Sequence, residues 1–316
     1  MKVLITGGEG TIGYFLAKSL REQGYNVDTL DIKNGQDITD PKTFDNLDTD
    51  YDYVYHLAMI NGTSNFYDKP VEVLRVGILG TINVLEWFKK CKGKILFTSS
   101  NEAYASWISL HNGPIPTPEN IPLCIDNIFN PRWSYGGSKL IGEILFANYG
   151  KAYGFPYTIV RYHNSYGPRM GDKHVIPEFI NRIINREDPF VIRGAKETRS
   201  FCYIDDTVRA TQMVMESDKT NGEIVHIGNN TEEIDMKDLA EKMFGLFKWR
   251  PQKIVIEPSP EGCVKRRCPD LTKIKRLVGY KPKVKLEEGL IKTYNWYEQE
   301  NKKLQGMFLT QSVPDF

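Results

Sequence analysis

Tyr135 and Lys139 stand four residues apart in the run YGGSK, a spacing that sets both side chains on one face of a helix. An ammonium beside a phenol stabilises the phenolate and lowers its pKa, so such a pair can take and return a proton near neutral pH. Tyr and Lys also meet at this spacing by chance on exposed helices, so the reading depends on what else the chain supplies. The N-terminus supplies a nucleotide turn. Thr6-Gly7-Gly8-Glu9-Gly10-Thr11-Ile12-Gly13 follows the β-branched run KVLIT and opens a helical stretch. Gly7 permits the tight turn, Gly10 lets the backbone approach a pyrophosphate and Gly13 lets the helix pack on the strand. The amides at the helix start, from Thr11 and Ile12 onward, then favour the anion. Asp31 follows eighteen residues beyond Gly13, at the end of the next strand. A carboxylate there accepts from ribose hydroxyls and repels a 2′-phosphate, which favours NAD over NADP. Asp37 and Ile38, in the loop that follows, are expected to flank the adenine.

The elements that must position these residues alternate. Strands are predicted at 2–6, 26–30, 52–58, 94–100 and 157–162, and helices at 11–23, 70–91 and 136–153. The strands lack polar alternation, as strands covered on both faces do. Strand–helix–strand alternation implies right-handed crossovers and an α/β fold, a doubly wound parallel Rossmann sheet. After about residue 165 the pattern changes, and the later helices (175–186, 236–248, 286–299) alternate with short strands. The expectation is an NAD-binding domain over 1–165, with segments near 200–230 returning to it, and a smaller C-terminal α/β substrate lobe over 166–316. The proline-bearing stretch 105–131 reads as a long ordered loop, a frequent place for function.

Composition narrows the function classes. The 316 residues carry 41 Lys and Arg against 40 Asp and Glu, and no long single-sign run argues for nucleic acid or a membrane surface. No apolar run approaches the ~20 residues of a membrane span, and glycines come too early for a secretory leader. Five cysteines without a CxxC pair suit free thiols in a reducing compartment. A cytoplasmic protein without a metal site is expected.

Beyond these features the chain resembles the extended short-chain dehydrogenase/reductase family, in the branch acting on nucleotide sugars. The likeness runs through TGGEGTIG, HLA at 56–58, TSSNEAY at 98–104, YGGSK, RYHNSYGP at 161–168, RSFCYIDD at 199–206 and KRRCPD at 265–270. The resemblance implies a nucleotide-diphosphate sugar oxidised transiently at C4, with Tyr135 as base, Lys139 holding the nicotinamide ribose and Ser100 hydrogen-bonding the reacting oxygen. It places Leu57 and Ala58 against the cofactor. It sets Asn164, His174 and the Val175 backbone near the diphosphate and base, Arg199 and Arg267 on the pyrophosphate, and Asp270 beside a ribose. Guanidinium groups suit phosphate. A homodimer through the helices at 70–91 and 136–153 is implied too.

Three departures bear on the outcome. Asn101 stands where 4,6-dehydratases of this branch commonly have Asp, and it cannot serve as their acid. Glu102 is kept, and a carboxylate there suits C5 deprotonation or the handling of a glucuronate; Arg132-Trp133 resembles the nucleotide-glucuronate decarboxylase pattern. Arg193 stands near where relatives stack an aromatic residue on the base, and Gly77 where many carry Asn. The sequence favours an epimerase slightly, with a 4,6-dehydratase or nucleotide-glucuronate decarboxylase as the alternative. A non-catalytic NAD-sensing protein would have no need of Ser100, Tyr135 and Lys139 together.

Overall fold

The computed structural model describes residues 1–259 and 262–310; the end of the expected substrate lobe, 311–316, lies outside the described residues. Five strands follow the sequence-based expectation closely: β1 (Lys2–Thr6), β2 (Asn26–Leu30), β3 (Tyr53–His56), β4 (Lys94–Ser100) and β5 (Tyr157–Tyr162). A sixth, Ile224–Ile227, returns from the second half of the chain and lies beside β5. All pairings in this sheet are parallel. The order places β1 between β2 and β3, so the chain reverses its winding there and opens a crevice at the carboxyl ends of β1 and β3.

Alternation along β1 decides which residues meet which layer. Val3 and Ile5 point to one face and pack with Leu16 and Leu20 of helix Thr11–Glu22 and with Val208 and Met215 of helix Ile204–Met215. Leu4 points the other way, into a cluster with Val54, Val84, Phe88, Phe97 and Phe146. Each such side chain, fully buried, contributes about 1.5–3 kcal/mol. Lys94 ties the returning segment down: its ammonium donates to the Ser217 carbonyl at 2.7 Å and the Thr220 hydroxyl at 2.9 Å. Burial pulls its pKa to about 8.

Two predicted elements differ. The helix expected over 70–91 is Pro70–Leu74, a wider π turn over Arg75–Gly80, and Thr81–Phe88. Gly77 sits in the π turn, where a Cβ would come within 2.6 Å of the Ser138 Cβ. Ser138 belongs to helix Trp133–Tyr153, which also carries Tyr135 and Lys139. The absent side chain therefore lets the two segments close on each other, which accounts for the unusual glycine. The expected loop 105–131 contains a short helix, Ala105–His111.

The helix bearing Tyr135 and Lys139 is fastened to the sheet by a buried ion pair. Arg161 of β5 forks onto Glu143, Nε to Oε1 at 2.8 Å and Nη2 to Oε2 at 2.7 Å, with both side chains at most 4% exposed. Ser99 of β4 donates to the same carboxylate at 2.5 Å. Removing one partner of such a pair strands a buried charge. Glu143→Gln is expected to lower stability by about 3–5 kcal/mol in urea denaturation, and a Glu143→Met/Arg161→Met double variant by less than either single change.

Candidate active site

The crevice at the strand ends continues into a cleft of about 1110 Å³. Its floor near β1 is the glycine turn. Gly7 has φ +75° and Gly13 would place a Cβ 2.2 Å from the Gly7 carbonyl, so neither position admits a side chain. The helix that starts at Thr11 has Gly10 as its cap, with no side-chain cap and no acidic residue in its first turn. Uncapped amides beside glycines are what a pyrophosphate requires, so these residues fit a dinucleotide. Gly7, Gly10, Thr11, Ile12, Gly13 and Leu57 all line the cleft.

The remaining residues expected around the cofactor are set back from it. Asp31 is buried; one carboxylate oxygen accepts the Glu9 amide at 3.0 Å and the other the Lys33 amide at 3.0 Å. It braces the glycine turn and caps the turn Ile32–Asn34. Asp37 accepts the Thr39 amide at 2.8 Å, and Ile38 packs into the core under Gly80. Ala58 lies behind Gly7, its amide bonded to the Thr6 hydroxyl at 3.2 Å.

At the middle of the cleft Ser100, Glu102, Tyr135 and Lys139 converge, and all four are at least nine-tenths buried. Ser100 ends β4, Glu102 follows on the 3-10 turn Asn101–Tyr104, and the other two lie on helix Trp133–Tyr153. Phe66 stacks on the Tyr135 ring at 4.6 Å between centroids. Lys139 donates to the Thr98 carbonyl at 2.6 Å, with its ammonium 5.6 Å from the Tyr135 ring centre. Burial brings the Lys139 pKa down to about 7, with Glu143 working against it. Burial raises the Tyr135 pKa, the Ser100 hydroxyl opposes that rise, and Glu102 adds to it. Burial outweighs the Ser100 hydrogen bond, so the Tyr135 phenol stays protonated in this arrangement.

Glu102 has the strongest electrostatic surroundings. Its Oε1 accepts from Arg132 Nη2 at 2.9 Å and from Arg267 Nη1 at 2.7 Å. Burial alone would raise its pKa, but Arg267 and Arg132 together hold it below the ordinary carboxylate value. Arg267, expected on a diphosphate, therefore sits at the Ser100–Tyr135 end of the cleft. Arg199 lines the same wall, bonded to the Thr198 carbonyl and the Glu197 carboxylate at 2.8 Å each. Burial and the like charge of Arg267 reduce its pKa to about 10, with Glu197 opposing. Asn164 (φ 40°) turns its amide to the Ser200 carbonyl at 3.0 Å. His174 precedes helix Val175–Ile184 without capping it, and burial lowers its pKa. Arg193 pairs with Glu257 at 3.0 Å and is half exposed at the cleft edge. Asp270 does not line the cleft; it accepts the Thr272 amide at 2.7 Å at the start of the next helix. Sequence reasoning left Arg132 and Phe66 out of the site. Arg132 was visible as a motif beside Tyr135, whereas Phe66 arrives from helix Thr63–Asp68 and carries no sequence signal.

The chain belongs to the NAD-dependent epimerase/dehydratase family, whose model matches residues 3–228. It is an enzyme of NAD-dependent nucleotide-sugar chemistry. It is 33% identical to the UDP-N-acetyl-alpha-D-glucosaminuronate decarboxylase of Bacillus cytotoxicus, over 94% of this chain and 98% of that protein. It is 31% identical to UDP-glucuronic acid decarboxylase 6 of Arabidopsis thaliana, over 92% and 87%. Among solved structures, UDP-glucose 4-epimerase of Thermotoga maritima with UDP-glucose superposes with a TM-score of 0.84 at 29% identity, covering 95% of this chain and all of that one. Among the described residues, no helix is long and apolar enough to cross a membrane.

The Glu102 cluster gives a pH-dependent expectation. A carboxylate whose folded pKa lies below its ordinary 4.5 stabilises the fold fully above that value, and the contribution fades as pH falls through the folded value. Glu102→Gln is expected to melt below wild type at pH 7, since it leaves two buried guanidinium groups without their counter-charge. The two melting curves should converge below about pH 4.5. A gap that stays constant across that range would show Glu102 to be uncharged.

Proposed function

We propose that this enzyme decarboxylates a nucleotide hexuronate by way of C4 oxidation. The observation carrying this reading is the charge at the sugar end of the cleft. One buried carboxylate, Glu102, is held by the buried guanidinium of Arg132 and the partly buried one of Arg267, and the Nε and Nη2 of Arg267 have no partner among the described residues. That surplus of positive charge and free donors suits a substrate carrying its own carboxylate at C6. Two of the relatives act on uronates by name, which agrees with it.

Gly7, Gly10, Thr11, Ile12 and Gly13 would hold the dinucleotide, with Leu57 beside its adenosine half and Asp31, Asp37, Ile38 and Ala58 behind that half, and the bound group would supply reversible hydride transfer. Tyr135 takes the C4 hydroxyl proton while Ser100 hydrogen-bonds that oxygen and Lys139 steadies the charge. The product is a 4-ketone β to the C6 carboxylate. The C5–C6 bond then breaks, carbon dioxide leaves, and the electron pair moves to the C4 oxygen as an enolate that the Tyr135 hydroxyl hydrogen-bonds. A proton from water reaches C5 on the side of Glu102 and Arg267 and restores the 4-ketone; hydride then returns to C4 as the Tyr135 proton returns to the C4 oxygen, so no net redox change occurs. Arg199, Asn164, His174 and the free Val175 amide serve the diphosphate, and Arg193 the base. Epimerisation is the second reading, favoured by the likeness to a UDP-glucose 4-epimerase structure, and it needs only Ser100, Tyr135 and Lys139.

A homodimer is part of the proposal. Val71, Leu74, Leu79, Ile141 and Ile144 are apolar and exposed on the two adjoining helical segments. Ile144→Glu should convert a dimer into a monomer in sedimentation, and a wild-type monomer would refute the interface. We place the protein in the cytoplasm on the strength of five unpaired cysteines.

Mass spectrometry on a panel of nucleotide hexoses and hexuronates tests the reaction. Loss of carbon dioxide from a uronate is expected; an isomer of unchanged mass from a hexose would establish the epimerase instead. Tyr135→Phe should keep NAD and lose turnover by about 10²–10⁴-fold; undiminished turnover would remove Tyr135 from the mechanism.

A further inference from the structure

Asn101 lies between Ser100 and Glu102, 5% exposed, on the wall of the cleft. Its side-chain oxygen faces Arg267 Nη1 at 3.5 Å and the Ser100 hydroxyl at 3.3 Å. A guanidinium has donors and no acceptor, so only the amide oxygen can face it. That fixes the amide the right way round. The Nδ2 group is therefore turned away from Arg267, and it is buried without a partner. Buried donors are paired in nearly all native structures, and one left unpaired keeps its full desolvation penalty. The Nε and Nη2 of the same Arg267 guanidinium are likewise buried without a partner among the described residues.

We propose that Asn101 is a specificity-determining residue: its Nδ2 donates to the C6 carboxylate of the substrate, next to Arg267, and makes the site select an acceptor-rich C6 group over a hydroxymethyl. This rests on the uronate reading above, and deepens it. Asn101 and Arg267 meet at the amide oxygen and together leave three buried donors without a partner among the described residues, and a carboxylate has lone pairs enough to satisfy them all. A hydroxymethyl oxygen brings no charge to Arg267 and accepts fewer of these bonds. Asp in place of Asn101 would keep the oxygen that faces Arg267 and Ser100 but invert the donor into an acceptor. It would also set a second negative charge beside Glu102, against an anionic ligand. The rival occupant is water, because Asn101 and Arg267 also border a void of about 10 Å³, room for one molecule.

The test is binding, measured by calorimetry on NAD-loaded enzyme in a Tyr135→Phe background so that ligand is not consumed. UDP-glucuronic acid and UDP-glucose are titrated into the parent, Asn101→Asp and Asn101→Ala. Asn101→Asp is expected to weaken UDP-glucuronic acid about ten- to a hundredfold while changing UDP-glucose less than about threefold, and Asn101→Ala to weaken the uronate about tenfold. Thermal midpoints and NAD content identify any variant that fails to fold, and Asn101→Ala then carries the comparison alone. Equal weakening of both ligands assigns the amide to an internal water and overturns the proposal, as does no change in either. Carbon dioxide release by the wild type is scored separately. Its absence defeats the decarboxylase reading and leaves the selectivity result to decide the role of Asn101.

Discussion

An ionised carboxylate taken out of water costs several kcal/mol unless opposite charge meets it, and Glu102 is met twice. Arg132 comes from the segment just before the helix carrying Tyr135 and Lys139, and Arg267 from a short strand 165 residues beyond Glu102. The carboxylate itself stands two residues after Ser100, the last residue of β4. Three distant stretches therefore cannot separate without stranding buried charge, and that requirement holds Arg267 against the end of β4 and the helix carrying Tyr135 and Lys139. Beneath it the Arg161–Glu143 pair does the same for that helix and the sheet.

The same constraint shapes the chemistry. Both arginines hold Glu102 ionised, so it is a poor proton donor at neutral pH and a good partner for positive charge. Two cations against one anion leave a net positive region in the cleft beside Ser100 and Tyr135. Tyr135 and Lys139, buried beside it, have pKa values shifted toward their neutral forms, as desolvation dictates. A substrate that brings a negative group to this place meets complementary charge, whereas a neutral hexose leaves part of the positive charge unanswered.

The sheet was largely legible from the sequence because buried parallel strands read as unbroken apolar runs, and five of them bounded by turn signals appear in order. Glycines marked the nucleotide turn because only they tolerate the φ of Gly7 and the contact at Gly13. The Tyr135–Lys139 pair was legible because its spacing is local, and Ser100 through the resemblance that TSSNEAY carries. What could not be read was long-range pairing. Arg267 meets Glu102 across 165 residues, and no local pattern distinguishes that from a grip on phosphate. Asp31 and Asp270 also hold backbone amides, contacts that no spacing in the sequence announces. The π turn escaped notice because the cause, Gly77 against Ser138, is a tertiary contact.

The measurement closest to the central claim is a crystal structure of the Tyr135→Phe variant with NAD and UDP-glucuronic acid. The account predicts the C6 carboxylate within hydrogen-bond distance of Arg267 and Asn101, with the diphosphate on Arg199 and the start of helix Val175–Ile184. A diphosphate seated on Arg267, with the C6 carboxylate turned away from the Glu102 cluster, would contradict it.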